Sequence, residues 1–479
     1  MSDKHKNKRE FLLNNENIYF NVMYLAWPII IQSFLQVLIG TIDIKMVGSL
    51  GVDAISAVGT GRNIIMLIMV FVMAISTGTI ALISRFTGMG DYKSVSVAAG
   101  QAFFLSIVAA AVMIPLGLST NEWILNILGV HNNVFVLAKE YMAIFFLSIP
   151  FFLLNFMAKS IFQGAGDTTT PLIIDIVMNV ANVIGNFIFI FGFWVFPAMG
   201  VGGAAMGTLV ARLLGSILGW GALVSGKFVV KVEILDMIKP KWEIGKQILK
   251  IGLPTAFQGL SRNISTFIIF AILARTLRAE AAVPAYVIGT NLNQYALMPG
   301  LAMGTAAATL SGMNIGAGKL PRAYKTGVVS AFLGAILMGT LAFIFAAFST
   351  PLIKFFLNEA NPEVLQIGKT FLIIIGLAEP MHAVTISLSR TMQGAGYTKY
   401  PFLITLVSWL FVRVSLSYLL AIVFDLGPRG VWIGIALSTV LAGILSYLSF
   451  RNKKWQYVKI EDGTRKEKWQ VTEIEDINN

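Results

Sequence analysis

The feature that most limits this chain is its series of apolar runs, which are too long and too frequent for a soluble fold. A helix needs roughly 20 apolar residues to cross a hydrocarbon core of about 30 Å. That ruler finds twelve candidate spans in the 479 residues, centred on 22–48, 55–83, 96–118, 135–158, 171–195, 200–224, 248–275, 283–311, 325–349, 367–391, 401–424 and 430–450. The runs are continuous and do not alternate with period two, so they predict helices rather than barrel strands. Composition agrees: 13% of residues are charged and 56% hydrophobic, against about 25% and 45–50% in an ordinary soluble domain. The predicted class is an all-α polytopic membrane protein.

Other classes fall away. The chain has no cysteine, which excludes disulfides, thiolate catalysis and Cys-ligated metals. Three histidines, His5, His131 and His382, leave little for a His-rich metal site. The mostly polar start does not read as a cleavable signal. Nothing matches G-x-x-x-x-G-K-[ST], so the chain carries no ATP motor, and energy is expected from an ion gradient. No zinc motif, nucleophile elbow or other reactive constellation appears, so an enzyme is not expected. No cofactor is expected beyond a coupling ion.

Lysine and arginine set the orientation. Of the 36, 25 fall in the N-terminus, the even-to-odd connections and the C-terminal tail, and five in the odd-to-even connections: Lys139, Arg275, Arg278, Lys354 and Arg429. That bias predicts both termini in the cytoplasm of a multi-pass plasma or inner membrane protein. It also explains the net charge of +12 without nucleic acid: cytoplasmic loops facing anionic lipid favour it.

The chain repeats itself. Phe162-Gln163-Gly164-Ala165-Gly166-Asp167-Thr168 with Pro171 returns as Met392-Gln393-Gly394-Ala395-Gly396-Tyr397-Thr398 with Pro401. Pro28 and Gln32 match Pro254 and Gln258, Gly88 and Gly90 match Gly316 and Gly318, and Gly200-Val201 matches Gly430-Val431. Six spans per half keep both halves in one orientation, related by an axis along the membrane normal with a cavity between them. The expected organisation is an N-terminal segment 1–21, a six-helix lobe 22–224, a linker 225–247, a second six-helix lobe 248–450 and a tail 451–479. Two packed lobes that rock about a central cleft are a transporter plan.

Ionisable residues inside spans are functional candidates by default. Asp43 leads them, on one face of the first span with Gln32 and Gln36. In span five Asp175, Asn179, Asn182 and Asn186 fall within about 60° of one another at 100° per residue, and Thr208 of span six can join them. A carboxylate among amide and hydroxyl oxygens can hold a proton or coordinate a hard cation such as Na⁺. Interhelical hydrogen bonding is the competing role for the amides, and Asp175, near a helix start, can simply favour that terminus. The second half carries Gln258 and Arg262 in span seven, Asn291, Asn293 and Gln294 in span eight, and Glu379 with His382 in span ten. Glu379 is expected to pair with Arg262 or to titrate in a second site, and His382 to be a hydrogen-bonded interior histidine.

In these pieces, taken in order across both halves, the sequence resembles the multidrug and toxic compound extrusion (MATE) family. The pieces are Pro28 with Asp43-Ile44-Lys45-Met46-Val47-Gly48, FQGAGDTTTP at 162–171, Asn182 to Gly192, Gly200 to Thr208, Pro299 through Asn314 to Lys319, and MQGAG at 392–396. The resemblance implies two six-helix bundles facing a cleft and export of organic, often cationic, compounds in exchange for H⁺ or Na⁺. It implies a coupling site at Asp43, Asn182, Asn186 and Thr208, a set that would also hold Na⁺. Asn186 stands where one branch often has Asp, so the choice of ion stays open. Arg262 and His382 stand where another branch has acids, which leaves the case on Asp43. The alternatives are a flippase of lipid-linked precursors, which fourteen spans and a more basic cleft would favour, and an intramembrane enzyme. Small organic molecules and the bilayer are the expected partners, with a monomer as the working state.

Overall fold

A computed structural model describes residues 3–130, 132–356 and 361–458. The expected tail from residue 459 onward, and His131, lie outside the described residues. The helices run in the order α1 (Asp3–Asn14), α2 (Ile18–Gly48), α3 (Val52–Met89), α4 (Tyr92–Ile127), α5 (Asn132–Leu147), α6 (Ile149–Gly164), α7 (Thr169–Phe191), α8 (Gly200–Ser225), the short α9 (Ile234–Ile238), α10 (Trp242–Leu273), α11 (Ala279–Gly316), α12 (Leu320–Ala347), α13 (Ser349–Phe356), α14 (Pro362–Gly394), α15 (Lys399–Val423) and α16 (Pro428–Arg451). Among the described residues the β content is one bridge between Phe193 and Phe196.

Ten of these helices are long and apolar enough to cross a membrane, or eleven if α5 and α6 form one span bent by 49°. The expected count of twelve is thus met only with α11. That 38-residue helix is continuous, but Asn291, Asn293, Gln294 and its glycines dilute its apolar run. The bend falls at Ser148, where Pro150 in the first turn of α6 cannot continue the preceding helix. Span five ends at Phe191, short of residue 195, because Gly192 turns with φ +78°. Helix starts follow local chemistry: the Asn17 side chain accepts from the Phe20 amide and Asp91 from the Ser94 amide at 3.1 Å, which satisfies donors left open at a first turn.

The repeat has a mechanical reason. The second glycine of each G-x-G ends a helix in the left-handed region, with φ +76° at Gly90, +74° at Gly318, +81° at Gly166 and +86° at Gly396, where other residues pay a steric cost. The first glycine lets helices touch. A Cβ on Gly88 would lie 2.1 Å from the Met313 carbonyl oxygen, and one on Gly316 would lie 2.1 Å from that of Arg85. Deeper in, Gly78 meets the Ile248 carbonyl at 2.1 Å and Gly252 meets that of Ala74 at 1.6 Å. Each contact joins one half to the other through α3, α10 and α11, and the Gly88 and Gly316 contacts are counterparts across the pseudo-symmetry. Small residues allow this close approach within a membrane.

All these contacts lie in the part of each helix nearer the termini. Both terminal segments meet the α11–α12 turn: Lys319 Nζ donates to the Leu13 carbonyl at 2.9 Å, and Gln456 Nε2 to that of Leu320 at 2.9 Å. Helix α1, which the sequence reading did not foresee, straps this face. Lys8 pairs with Asp167 at 3.1 Å, and Arg9 donates to the carbonyls of Thr87 at 2.9 Å and Gly88 at 2.8 Å. Arg322 reaches back to the Leu12 and Asn15 carbonyls. Leu12, Leu25 and Ile29 then pack with Ala302, Met313 and Val329 of the second half.

Candidate functional site

Three helices of the first half bring four of the expected side chains together. Asn186 of α7 is fully buried, at 0% exposure, and its Nδ2 donates to Asp43 Oδ1 of α2 at 2.7 Å. The same amide lies 3.5 Å from Asn182 Oδ1. Asn182 Nδ2 donates to Thr208 Oγ1 of α8 at 3.3 Å, and the Thr208 hydroxyl donates to the Ala204 carbonyl at 3.0 Å. Glycine makes the cluster possible, since a Cβ at Gly207 would lie 2.2 Å from Asn186 Oδ1. Asn186 Oδ1 itself is buried without a hydrogen-bond partner. Asp43 is half-buried, so the cluster is reachable from the space beside it.

The rest of the first-half stripe does not join. Asp175 pairs with Lys159 at 2.8 Å, near the start of α7 as its position suggested. Asn179 is half-buried outside the cluster, and Gln36 is exposed. One member was missed. Arg212, one turn beyond Thr208 on α8, donates to Ser148 Oγ at 2.7 Å and lies over the Phe145 and Phe152 rings at 4.8 and 4.6 Å. Its charge reaches Asp43. The spacing i, i+4 from Thr208 was the available signal.

The second half is built differently. Glu379 does not pair with Arg262. Its Oε1 accepts from Asn293 Nδ2 at 3.1 Å, so a neutral amide of α11 supplies the donor expected from Arg262, and its Oε2 lies 3.6 Å from His382 Nδ1. Gln258 is interhelical glue. It donates to Thr405 Oγ1 at 2.8 Å and accepts from Gln393 Nε2 at 2.8 Å. Its repeat mate Gln32 donates to the Thr168 carbonyl at 3.2 Å, in the matching loop. Arg413 stacks on Trp409 at 3.5 Å and donates to Ser438 and Thr439 at 2.9 and 3.0 Å. It ends a stretch of α15 wound in wide π turns, a form frequent at functional sites. A groove of about 530 Å³ between α10 and α15 is lined by Phe267, Ile272, Arg275 and Tyr418, away from Asp43. Among the described residues no three His, Asp or Glu side chains group to hold a metal ion. A cation at Asp43 would draw on one carboxylate with amide and hydroxyl oxygens, and the orphan Asn186 Oδ1 is an oxygen it could use.

The MatE family model matches residues 28–188 and, a second time, residues 254–419. The chain belongs to the MatE family. The two matches fall on the two halves of the repeat. A probable multidrug resistance protein NorM of Thermotoga maritima is 29% identical over 436 residues, covering 90% of this chain and 92% of its own. An uncharacterized transporter YisQ of Bacillus subtilis is 27% identical, covering 91% and 95%. A solved outward-facing structure of a multidrug resistance MATE transporter of the MOP superfamily superposes with a TM-score of 0.87 at 22% identity, over 94% of this chain and 99% of its own. The likeness to that structure establishes the shared fold. This MATE chain is therefore a multi-pass membrane transporter and not an enzyme.

Proposed function

We propose that this MATE transporter is a secondary active exporter of small organic, often cationic, compounds, driven by H⁺ or Na⁺ and coupled at Asp43. The observation that carries the reading is the 2.7 Å hydrogen bond from Asn186 to Asp43, which ties α2 to α7 through the one carboxylate of the cluster. Protonating Asp43, or placing a cation beside it, changes what Asn186 faces and so how α2, α7 and α8 pack. A change of packing on one side of a cleft between rocking lobes is what alternating access needs. The proton asks less of the site, because Asn186 turns an N–H toward the carboxylate. Sodium needs the amide reversed, which would bring the orphan Oδ1 toward the ion. The termini, the strap α1 and the closed ends of the lobes are assigned to the cytoplasm by the lysine and arginine bias, so the described state is closed inward. Relatives named as probable multidrug resistance proteins support drug-like cargo.

The test is efflux of a cationic dye from proteoliposomes under an imposed proton gradient, then under a sodium gradient. Efflux driven by one of the two supports the proposal. Equal leakage with and without either gradient refutes it.

A further inference from the structure

Two arginines, Arg262 of α10 and Arg390 of α14, stand inside spans of the second half without an ion-pair partner among the described residues. Gln258 and Gln393 bind each other at 2.8 Å and set the register of α10 against α14. Arg262 is four residues beyond Gln258 and Arg390 three residues before Gln393, so each stands one turn above that bond, on the same face as its glutamine. Arg390 lies within the field of the Arg262 charge. Among the described residues neither makes an ion pair or a side-chain hydrogen bond. Arg390 borders a small cavity of about 10 Å³ whose first-half wall is Thr77 and Ile80, both uncharged. Arg413 adds a third cation within reach of Arg262. The acid nearest them, Glu379, accepts from Asn293 through Oε1, lies 3.6 Å from His382 through Oε2, and its charge acts on Arg413.

A cation inside a span costs a few kcal/mol on insertion scales and marks a functional site by default. Arginine also presents a planar fork that matches a carboxylate or phosphate with two bonds. We propose that Arg262 and Arg390 form a subsite for the anionic group of an amphipathic cargo, a carboxylate on an apolar body. This deepens the transport reading, on which it rests for the cleft being a cargo path. The first half then faces the cleft with the ion-responsive carboxylate and the second half with a fixed anion receptor. Cargo bearing both charges, or an acid alone, fits this cleft better than a simple cation. The pair lies where the lobes meet, so the subsite is closed in the described state and widens as the ends near the termini part.

Equilibrium binding to the purified protein tests this without any gradient, so failure of ion-driven export would leave its outcome standing. The probes are dansylglycine and dansylglycinamide, which share a fluorophore and differ by one charge. The carboxylate is expected to bind at least about tenfold tighter than the amide, and Arg262→Gln and Arg390→Gln are each expected to erase that preference. Arg262→Lys keeps the charge and guards against a folding defect, and it is expected to retain a preference that the glutamine variant loses. Equal affinity of the two probes for the unaltered protein overturns the proposal whatever the variants do. Nanodiscs of phosphatidylcholine, with and without phosphatidylglycerol, separate a soluble ligand from a lipid headgroup. Unchanged dansylglycine affinity supports a soluble cargo, and competitive loss in phosphatidylglycerol overturns it in favour of lipid.

Discussion

The two halves are alike where they touch and unlike where they face the cleft. At the closed end Gly88 against Met313 mirrors Gly316 against Arg85, and Gly78 against Ile248 and Gly252 against Ala74 are two contacts of one helix pair, α3 with α10. Gln32 and Gln258 each bind the start of the helix after the repeated Q-G-A-G motif, at Thr168 and at Pro401 and Thr405. In the cleft the likeness ends. The first half holds Asp43 among Asn182, Asn186 and Thr208. The second holds Arg262, Arg390 and Arg413, with Glu379 turned to Asn293 and His382. Contacts that let two lobes rock must fit both sides at once, so each residue constrains its mirror. Cleft residues carry no such reciprocal constraint and are free to divide the chemistry between them.

If that comparison holds, mirrored residues give matching effects and cleft residues do not. The largest structural effect belongs to the glycines. Gly88→Ala and Gly316→Ala each push a Cβ into a carbonyl of the other half, and overpacking of this kind costs about 1–3 kcal/mol. Both are expected to lower the thermal midpoint by similar amounts. A drop in only one would break the symmetry of the interface. Asn186→Ala removes the donor to Asp43, and loss of a bond to a charged group predicts a fall of about 10- to 100-fold in gradient-driven efflux. Asn293→Ala, its counterpart at Glu379, is expected to leave efflux within about threefold.

Gln32→Ala and Gln258→Ala are expected to destabilise by about 0.5–2 kcal/mol each, the range of hydrogen bonds between membrane helices, again read from thermal midpoints. The smallest effect is at the strap. Lys8→Ala removes a partly exposed pair with Asp167, worth about 0–1 kcal/mol. A much larger loss of stability would show that α1 governs closure of that face.

Much of this was legible because membranes impose simple periods. Continuous apolar runs marked the helices, and the paired G-x-G motifs marked both the repeat and its turns. The i, i+4 spacing placed Asn182 and Asn186 on one face, and the structure brings Asp43 and Thr208 to them. What stayed hidden depends on distance between spans. Spacing cannot show that Asn293 reaches Glu379 before Arg262 does, or that Asp175 is spent on Lys159. A short polar helix such as α1 gives no apolar signal, and its role rests on contacts with both halves. Arg212 follows Thr208 at i, i+4, and its place is set by the Phe145 and Phe152 rings and Ser148 of neighbouring helices, which spacing along α8 does not encode.

The central claim is that the ion acts in the first half, at Asp43. Gradient-driven dye efflux from proteoliposomes carrying Asp43→Asn, compared with Glu379→Gln, tests it most directly. The account predicts that Asp43→Asn falls to the level of empty liposomes while Glu379→Gln keeps efflux within about threefold of the unaltered protein. Efflux that survives Asp43→Asn and is lost in Glu379→Gln would contradict it.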